Sequence, residues 1–131
     1  YPAILSTIID RLRGVVIENR DAIQIMQTHD STDTLHYVDP PYVLSTRAKR
    51  NPYDRKGYKH ELTDDQHRDL AAALRGLTGK VVLSGYPCAL YDELYADWRR
   101  IERHAKADGA RARIEVLWLS PTCEANQKTL L

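Results

Sequence analysis

Leu35-His36-Tyr37-Val38-Asp39-Pro40-Pro41-Tyr42 is the stretch on which the reading of this 131-residue chain turns. Leu35, Tyr37 and Val38 suit a buried strand, and the paired prolines stop it at once, because each lacks a backbone donor and fixes its own φ. Asp39 therefore stands at the carboxyl edge of a strand, just before a rigid turn. That turn holds the Asp39 carboxylate, the carbonyls that follow and the Tyr42 ring in fixed relation. In an open α/β sheet this edge is where ligands bind.

Working outward towards the amino end, Asp30-Ser31-Thr32-Asp33 is a polar loop, and Ala22 to Thr28 has helical character with Ile23 and Met26 inward. Before it, Val15 to Glu18 is a short β-branched run that reads as a strand, followed by the turn Asn19-Arg20-Asp21. Ile4, Leu5, Ile8, Ile9 and Leu12 recur at helical spacing with Gly14 as a stop, so an amphipathic helix is expected there, packed on another element.

Towards the carboxyl end, periodicity vanishes from Val43 to His60 while charge becomes one-sided. Arg47, Lys49, Arg50, Arg55, Lys56 and Lys59 face a single acid, Asp54, with Tyr53 and Tyr58 interleaved. This is a basic loop, and its position directly after Tyr42 makes it the candidate for phosphate contacts. Thr63 and Gln66 form a capping box for a helix whose apolar face is Leu70, Ala71, Ala73, Leu74 and Leu77, ended by Gly76 and Gly79. Lys80 to Ser84 is the next buried strand. After the turn Gly85-Tyr86-Pro87, a helix is read from Leu90, Tyr91, Leu94, Tyr95 and Trp98. Arg99 to Ala107 and Arg113 to Leu119 then pair as a hairpin about Asp108-Gly109, and residues 121–131 read as a loose tail.

Strands alternating with helices predict a parallel α/β sheet, here with an antiparallel hairpin at its end. The length fits one domain. Lys and Arg number 19 against 18 Asp and Glu, so an argument for nucleic acid rests on where the charge lies and not on its total. No apolar run reaches the roughly 20 residues of a membrane span, and a soluble, intracellular protein is expected. Cys88 and Cys123 form neither a disulfide framework nor a zinc pattern. His60 and His67 lack a third ligand at suitable spacing, so no metal site is assigned.

An ionised aspartate and the carbonyls beside it are acceptors only, and such a cluster wants an amino group carrying two hydrogens. With an aromatic ring held nearby, the pocket suits a flat heterocycle with an exocyclic amine, stacked on Tyr42 and hydrogen-bonded to Asp39 and the Pro40 carbonyl. Adenine fits that description. Its amine is a poor nucleophile because the lone pair is delocalised into the ring. Holding both hydrogens in acceptors frees the lone pair, and positioning it against an electrophilic methyl supplies rate through proximity and through stabilisation of the positive nitrogen.

Tyr37-Val38-Asp39-Pro40-Pro41-Tyr42 resembles the catalytic motif of the amino-directed, S-adenosylmethionine-dependent DNA methyltransferases. The wider chain is similar to the Dam-like adenine-N6 DNA methyltransferases carried by phages and prophages. Glu18-Asn19-Arg20-Asp21-Ala22 resembles the family's segment after its third strand. Gly57 to Thr63 with Gln66, His67 and Leu70 looks like the stretch after the catalytic loop, Leu83-Ser84-Gly85-Tyr86 like the fifth strand, and Ile114 to Trp118 like the closing hairpin strand.

The resemblance implies a Rossmann-like methyltransferase sheet and transfer of a methyl group from S-adenosylmethionine to N6 of adenine in double-stranded DNA. It gives Asp39, Pro40, Pro41 and Tyr42 catalytic places, makes Asp21, Ala22 and Asp39 cofactor-binding, and sets Arg47, Lys49, Arg50, Arg55, Lys56, Tyr58 and Lys59 against DNA. It also implies the cytoplasm of a bacterial or phage-infected cell and allows a restriction endonuclease as partner. One departure stands out: the family's glycine-rich first strand and loop, and the ribose-binding acid after them, are absent, and the six glycines include no G-x-G. The expectation is a catalytic-domain fragment without its first two strands, joined in nature to an amino-terminal part, inactive alone, and with the Val15 and Leu35 strands unpaired with each other. The alternatives are a non-catalytic nucleic-acid-binding remnant, or a methyltransferase acting on RNA or a protein amide.

Overall fold

A computed structural model describes residues 2–46, 61–106 and 112–124. Strand β1, Leu35–Val38, runs parallel to β2, Lys80–Gly85, with Leu35 beside Lys80 and Val38 beside Leu83. Two parallel neighbours need a long crossover. Helix α3, Asp64–Arg75, lies within that crossover. Strands β3, Arg99–Lys106, and β4, Ala112–Leu119, form an antiparallel hairpin, and β4 also pairs antiparallel with β2. The sheet order is β1-β2-β4-β3, a mixed α/β arrangement that is parallel only at β1 and β2.

Local chemistry explains the elements best where its signals agree. In α3 the Thr63 side chain accepts from the Gln66 N–H and the Gln66 side chain accepts from the Thr63 N–H, the capping box read from sequence, and Gly76 caps the other end. His67, Leu70, Ala71 and Leu74 are buried, the three-and-four spacing of one helical face. Strand β2 alternates in the same spirit. Val81, Leu83 and Gly85 are buried while Lys80, Val82 and Ser84 are half-buried.

The core fills one face of the sheet. Leu70, Ala71 and Leu74 join Val81, Leu83, Val116 and Trp118 there, with Tyr91 of α4, Ala89–Leu94, and with Tyr95 and Trp98 just after it. The aromatic rings pack edge to face: Tyr91 lies 5.1 Å from Trp118 at 80° and 5.2 Å from Tyr95 at 82°. Ile23 and Met26 of α2, Ala22–Thr28, pack against this cluster as expected. The opposite face is thinly covered, with Leu35 and Tyr37 more than half exposed.

Five readings change. Leu35 and Tyr37, read as suiting a buried strand, are exposed, because the alternation of β1 turns them away from the core and buries His36. Val15 to Glu18 forms no strand; Val16 and Ile17 are 79% and 92% exposed, because a β-branched run without a neighbouring strand has nothing to pair with. Helix α1, Pro2–Leu12, forms as predicted, but Ile4, Leu5, Ile8, Ile9 and Leu12 are exposed instead of packed. Helix α4 stops at Leu94, so Trp98 reaches the core from a turn closed by its N–H donating to the Tyr95 carbonyl. The chain from Pro121 begins as a short helical turn tied to β2: the Val81 N–H donates to Ser120 Oγ at 2.9 Å, and Thr122 Oγ1 donates to the Gly79 carbonyl at 3.0 Å. Of the stretch read as a basic loop, Val43 is buried in the core and Leu44–Thr46 form a short 3-10 turn, while residues 47–60, the Asp108-Gly109 turn and residues 125–131 lie outside the described residues.

A polar pin fixes the start of the parallel pair. Asp30 accepts from the Thr78 N–H at 2.6 Å, the Gly79 N–H at 2.9 Å and His36 Nε2 at 3.0 Å, while the Lys80 N–H donates to the Thr34 carbonyl. The Thr78 amide above all, then Gly79 and His36, hold the Asp30 carboxyl down at about 2. Among the described residues no helix is long and apolar enough to cross a membrane.

Candidate active site

Where β1 ends, Asp39, Pro40 and Pro41 form the wall between two recesses. The larger is about 730 Å³ and is lined by Glu18, Arg20, Asp21 and Ala22 on one side, Tyr37 to Pro41 on the other, and Ile23, Met26, Leu62 and Leu70 at its apolar floor. Its size falls among small-molecule sites, roughly 300 to 1,000 Å³. The smaller, about 240 Å³, is lined by Asp39, Pro40, Pro41 and Tyr42. The structure therefore brings Asp21, Ala22 and Asp39 to one cavity, and makes Asp39 to Pro41 common to both.

The side chains around this wall are held by different elements. Asp21 is the N-cap of α2, its Oδ1 accepting from the Gln24 N–H at 3.0 Å, so a local helix signal places that acid at the cavity rim. Asp39 Oδ1 accepts from the Ser84 hydroxyl at 2.8 Å, across the ends of the two parallel strands. Among the described residues nothing donates to Asp39 Oδ2. Tyr42 packs against Tyr86, ring centroids 4.4 Å apart and tilted by 51°. A base sandwiched between two rings needs two gaps of about 3.5 Å each. At 4.4 Å there is no room for a base between the two rings, and Tyr86 supports one side of Tyr42.

Among the described residues the lining of the larger cavity is mainly acidic: Glu18, Asp21, Asp39 and Asp69 stand there with Arg20, which is paired with Glu18. His29 Nε2 also contacts Glu18 Oε1 at 2.7 Å, and His29 first, then Arg20, hold the Glu18 carboxyl below its ordinary range. These acceptors suit a ligand with a positive centre or with hydroxyl and amine donors.

Sequence reading missed Ser84 and Tyr86 as site residues. Their placement depends on the β1–β2 register, which joins residues 45 apart in the chain and leaves no local pattern. Glu18, Gln66 and Asp69 were likewise unassigned and line the larger cavity. Arg47, Lys49, Arg50, Arg55, Lys56, Tyr58 and Lys59 all lie outside the described residues.

In a mixed α/β protein an acceptor-rich, proline-locked turn at the carboxyl end of a parallel strand stands where ligands bind. A family model described as D12 class N6 adenine-specific DNA methyltransferase matches residues 3–108. That match takes in most of the chain, and the chain belongs to this family of DNA adenine methyltransferases. A search of curated proteins returned no match.

Proposed function

We propose that this chain carries the base-binding and part of the cofactor-binding machinery of a methyltransferase that uses S-adenosylmethionine to methylate N6 of adenine in double-stranded DNA. The observation that carries the reading is the shared wall: one turn, Asp39-Pro40-Pro41, faces both a cavity suited to a nucleoside and a second recess ending at the Tyr42 ring. A transferase needs its two substrates adjacent, and a single rigid turn between two recesses provides that.

S-adenosylmethionine supplies, when bound, an electrophilic methyl on a sulfonium centre. The larger cavity fits its adenosine end by size, by its apolar floor and by its acidic rim, which also tolerates the positive sulfur. Asp21 and Ala22 hold the adenine and Asp39 stands nearest the second recess. The cradle for the methionine end comes from chain beyond these residues, which completes a Rossmann-like sheet along the open edge of β1. The place of β1 at the end of the strand order, among the described residues, supports that reading.

In the smaller recess the target adenine, flipped from the duplex, stacks on Tyr42. Asp39 accepts one amine hydrogen and the Pro40 carbonyl the other, so the nitrogen lone pair is released from the ring. As charge builds on the nitrogen, the Asp39 carboxylate stabilises it and takes up the excess proton, with water as final acceptor. Pro40 and Pro41 keep these acceptors from relaxing, because their φ angles are fixed. The basic loop grips the flanking phosphates.

The test is methyl transfer to duplex DNA by the full-length protein and by its Asp39→Ala variant. The reading predicts at least about a hundredfold loss in kcat with an unchanged melting curve. A folded Asp39→Ala protein at full rate overturns it.

A further inference from the structure

The Ser84 hydroxyl has two acceptors within reach, the Val38 carbonyl at 3.3 Å and Asp39 Oδ1 at 2.8 Å, and only one proton to give. Distance favours the carboxylate, and a bond to a charged acceptor is the stronger of the two. We infer that Ser84 is a positioning residue for the transfer reaction: its hydroxyl fixes the Asp39 carboxylate so that Oδ2 faces the target amine. The inference rests on the adenine-methylation reading of the same turn.

Three observations support it. First, the register that sets Val38 beside Leu83 sets Asp39 beside Ser84 in the next position, so both side chains fall on one face at the carboxyl ends of the strands. Second, the strand does not need a hydroxyl there. The backbone of Ser84 is in register with Leu117 of β4, and Val82, two residues earlier on the same face, shows that a β-branched apolar side chain suits this row. Third, no second restraint on Asp39 is seen among the described residues. Its side chain is solvent-exposed, and among the described residues Ser84 is its one hydrogen-bond donor.

A carboxylate free to rotate presents either oxygen, or neither, to an amine in the adjoining recess. With Oδ1 held, the carboxylate plane is set and one oxygen is committed to catalysis. Because Asp39 acts most strongly on the nitrogen as it becomes positive, loss of this restraint falls on kcat more than on KM.

The experiment compares the full-length wild type with Ser84→Ala and Ser84→Thr, measuring kcat and KM for adenine methylation in duplex DNA, melting temperature, and the Asp39 side-chain carboxyl resonance by isotope-edited NMR. Ser84→Ala is expected to lower kcat about tenfold to a hundredfold, leave KM and melting within error, and shift the Asp39 resonance. Ser84→Thr, which keeps the hydroxyl, is expected to restore most of the rate. Unchanged kcat in Ser84→Ala, an unmoved Asp39 resonance, or failure of Ser84→Thr to rescue a folded enzyme overturns the inference. A shift of the Asp39 resonance in Ser84→Ala, with a wild type that never methylates adenine, overturns the methylation reading, and with it the role given to Ser84 in the reaction.

Discussion

Replacing Gly79 by alanine tests how tightly the site depends on the far end of its own strands. A Cβ at this position lies 2.7 Å from the Thr34 carbonyl oxygen, 2.9 Å from the Ser31 carbonyl oxygen and 3.0 Å from Asp30 Oδ1. Two of these neighbours are backbone, so a side-chain rotation gives no relief. The residue is also buried beneath the Asp30 pin, and moving it stretches the bonds from the Thr78 and Gly79 amides to that carboxylate. Overpacking of this kind costs about 1–3 kcal/mol, and the upper half of that range applies because the obstacle is main chain. For a domain of this size the melting temperature should fall by roughly 5–15 °C. Gly76→Ala is the internal control. Its Cβ meets only the Ala73 carbonyl oxygen at 3.4 Å and, more distantly, that of Ala72, with backbone in the right-handed region. It should be neutral or stabilising by about 0.4–1 kcal/mol through the unfolded chain. Calorimetric melting of the two variants beside wild type decides the matter. If both melt within a degree of wild type, the packing argument for the β1–β2 junction is wrong.

Further outcomes follow from the same geometry. Tyr86→Leu removes the ring behind Tyr42, an aromatic contact worth about 0.5–1.5 kcal/mol, and should lower kcat/KM for DNA about threefold to tenfold while KM for the methyl donor holds, as steady-state kinetics would show. The Asp30 carboxyl is held at about 2 against an ordinary value of 3.8. Its contribution is therefore full above the ordinary value and lost as pH falls through about 2. Asp30→Asn should flatten the acid unfolding curve in that window, followed by circular dichroism. His67 is buried with its Nδ1 near the Tyr91 hydroxyl at 3.1 Å, and burial holds its titration below the usual 6.5. The neutral form is thus favoured in the folded state. Stability should decline as pH drops below 6.5, and His67→Gln should remove that slope in urea titrations at successive pH values.

Much of the fold was legible because its signals are local. The Thr63–Gln66 capping box, the helical spacing of Leu70, Ala71 and Leu74, the apolar run in Lys80 to Ser84 and the final hairpin all concern residues a few positions apart. Asp39 to Tyr42 was legible for the same reason, since two prolines and a strand end are written consecutively. Val15 to Glu18 misled because β-branched composition reports willingness to pair and not the presence of a neighbour. Trp98 misled differently. Its spacing from Tyr91 and Tyr95 correctly marks it as core, yet the helix ends at Leu94 and a turn delivers the same ring to the same cluster. The hydrogen bond from Ser84 to Asp39 had no signature at all, because it exists only once β1 and β2 are in register.

The central claim is that the acceptors of Asp39 and Pro40 select an exocyclic amine and that the amine belongs to adenine in DNA. The measurement that meets it most directly is nucleoside analysis of duplex DNA after incubation of the full-length protein with isotopically labelled S-adenosylmethionine. The account predicts label in N6-methyldeoxyadenosine, lost with Asp39→Ala. Label in a cytosine product, or in RNA or protein with none in DNA, would contradict it.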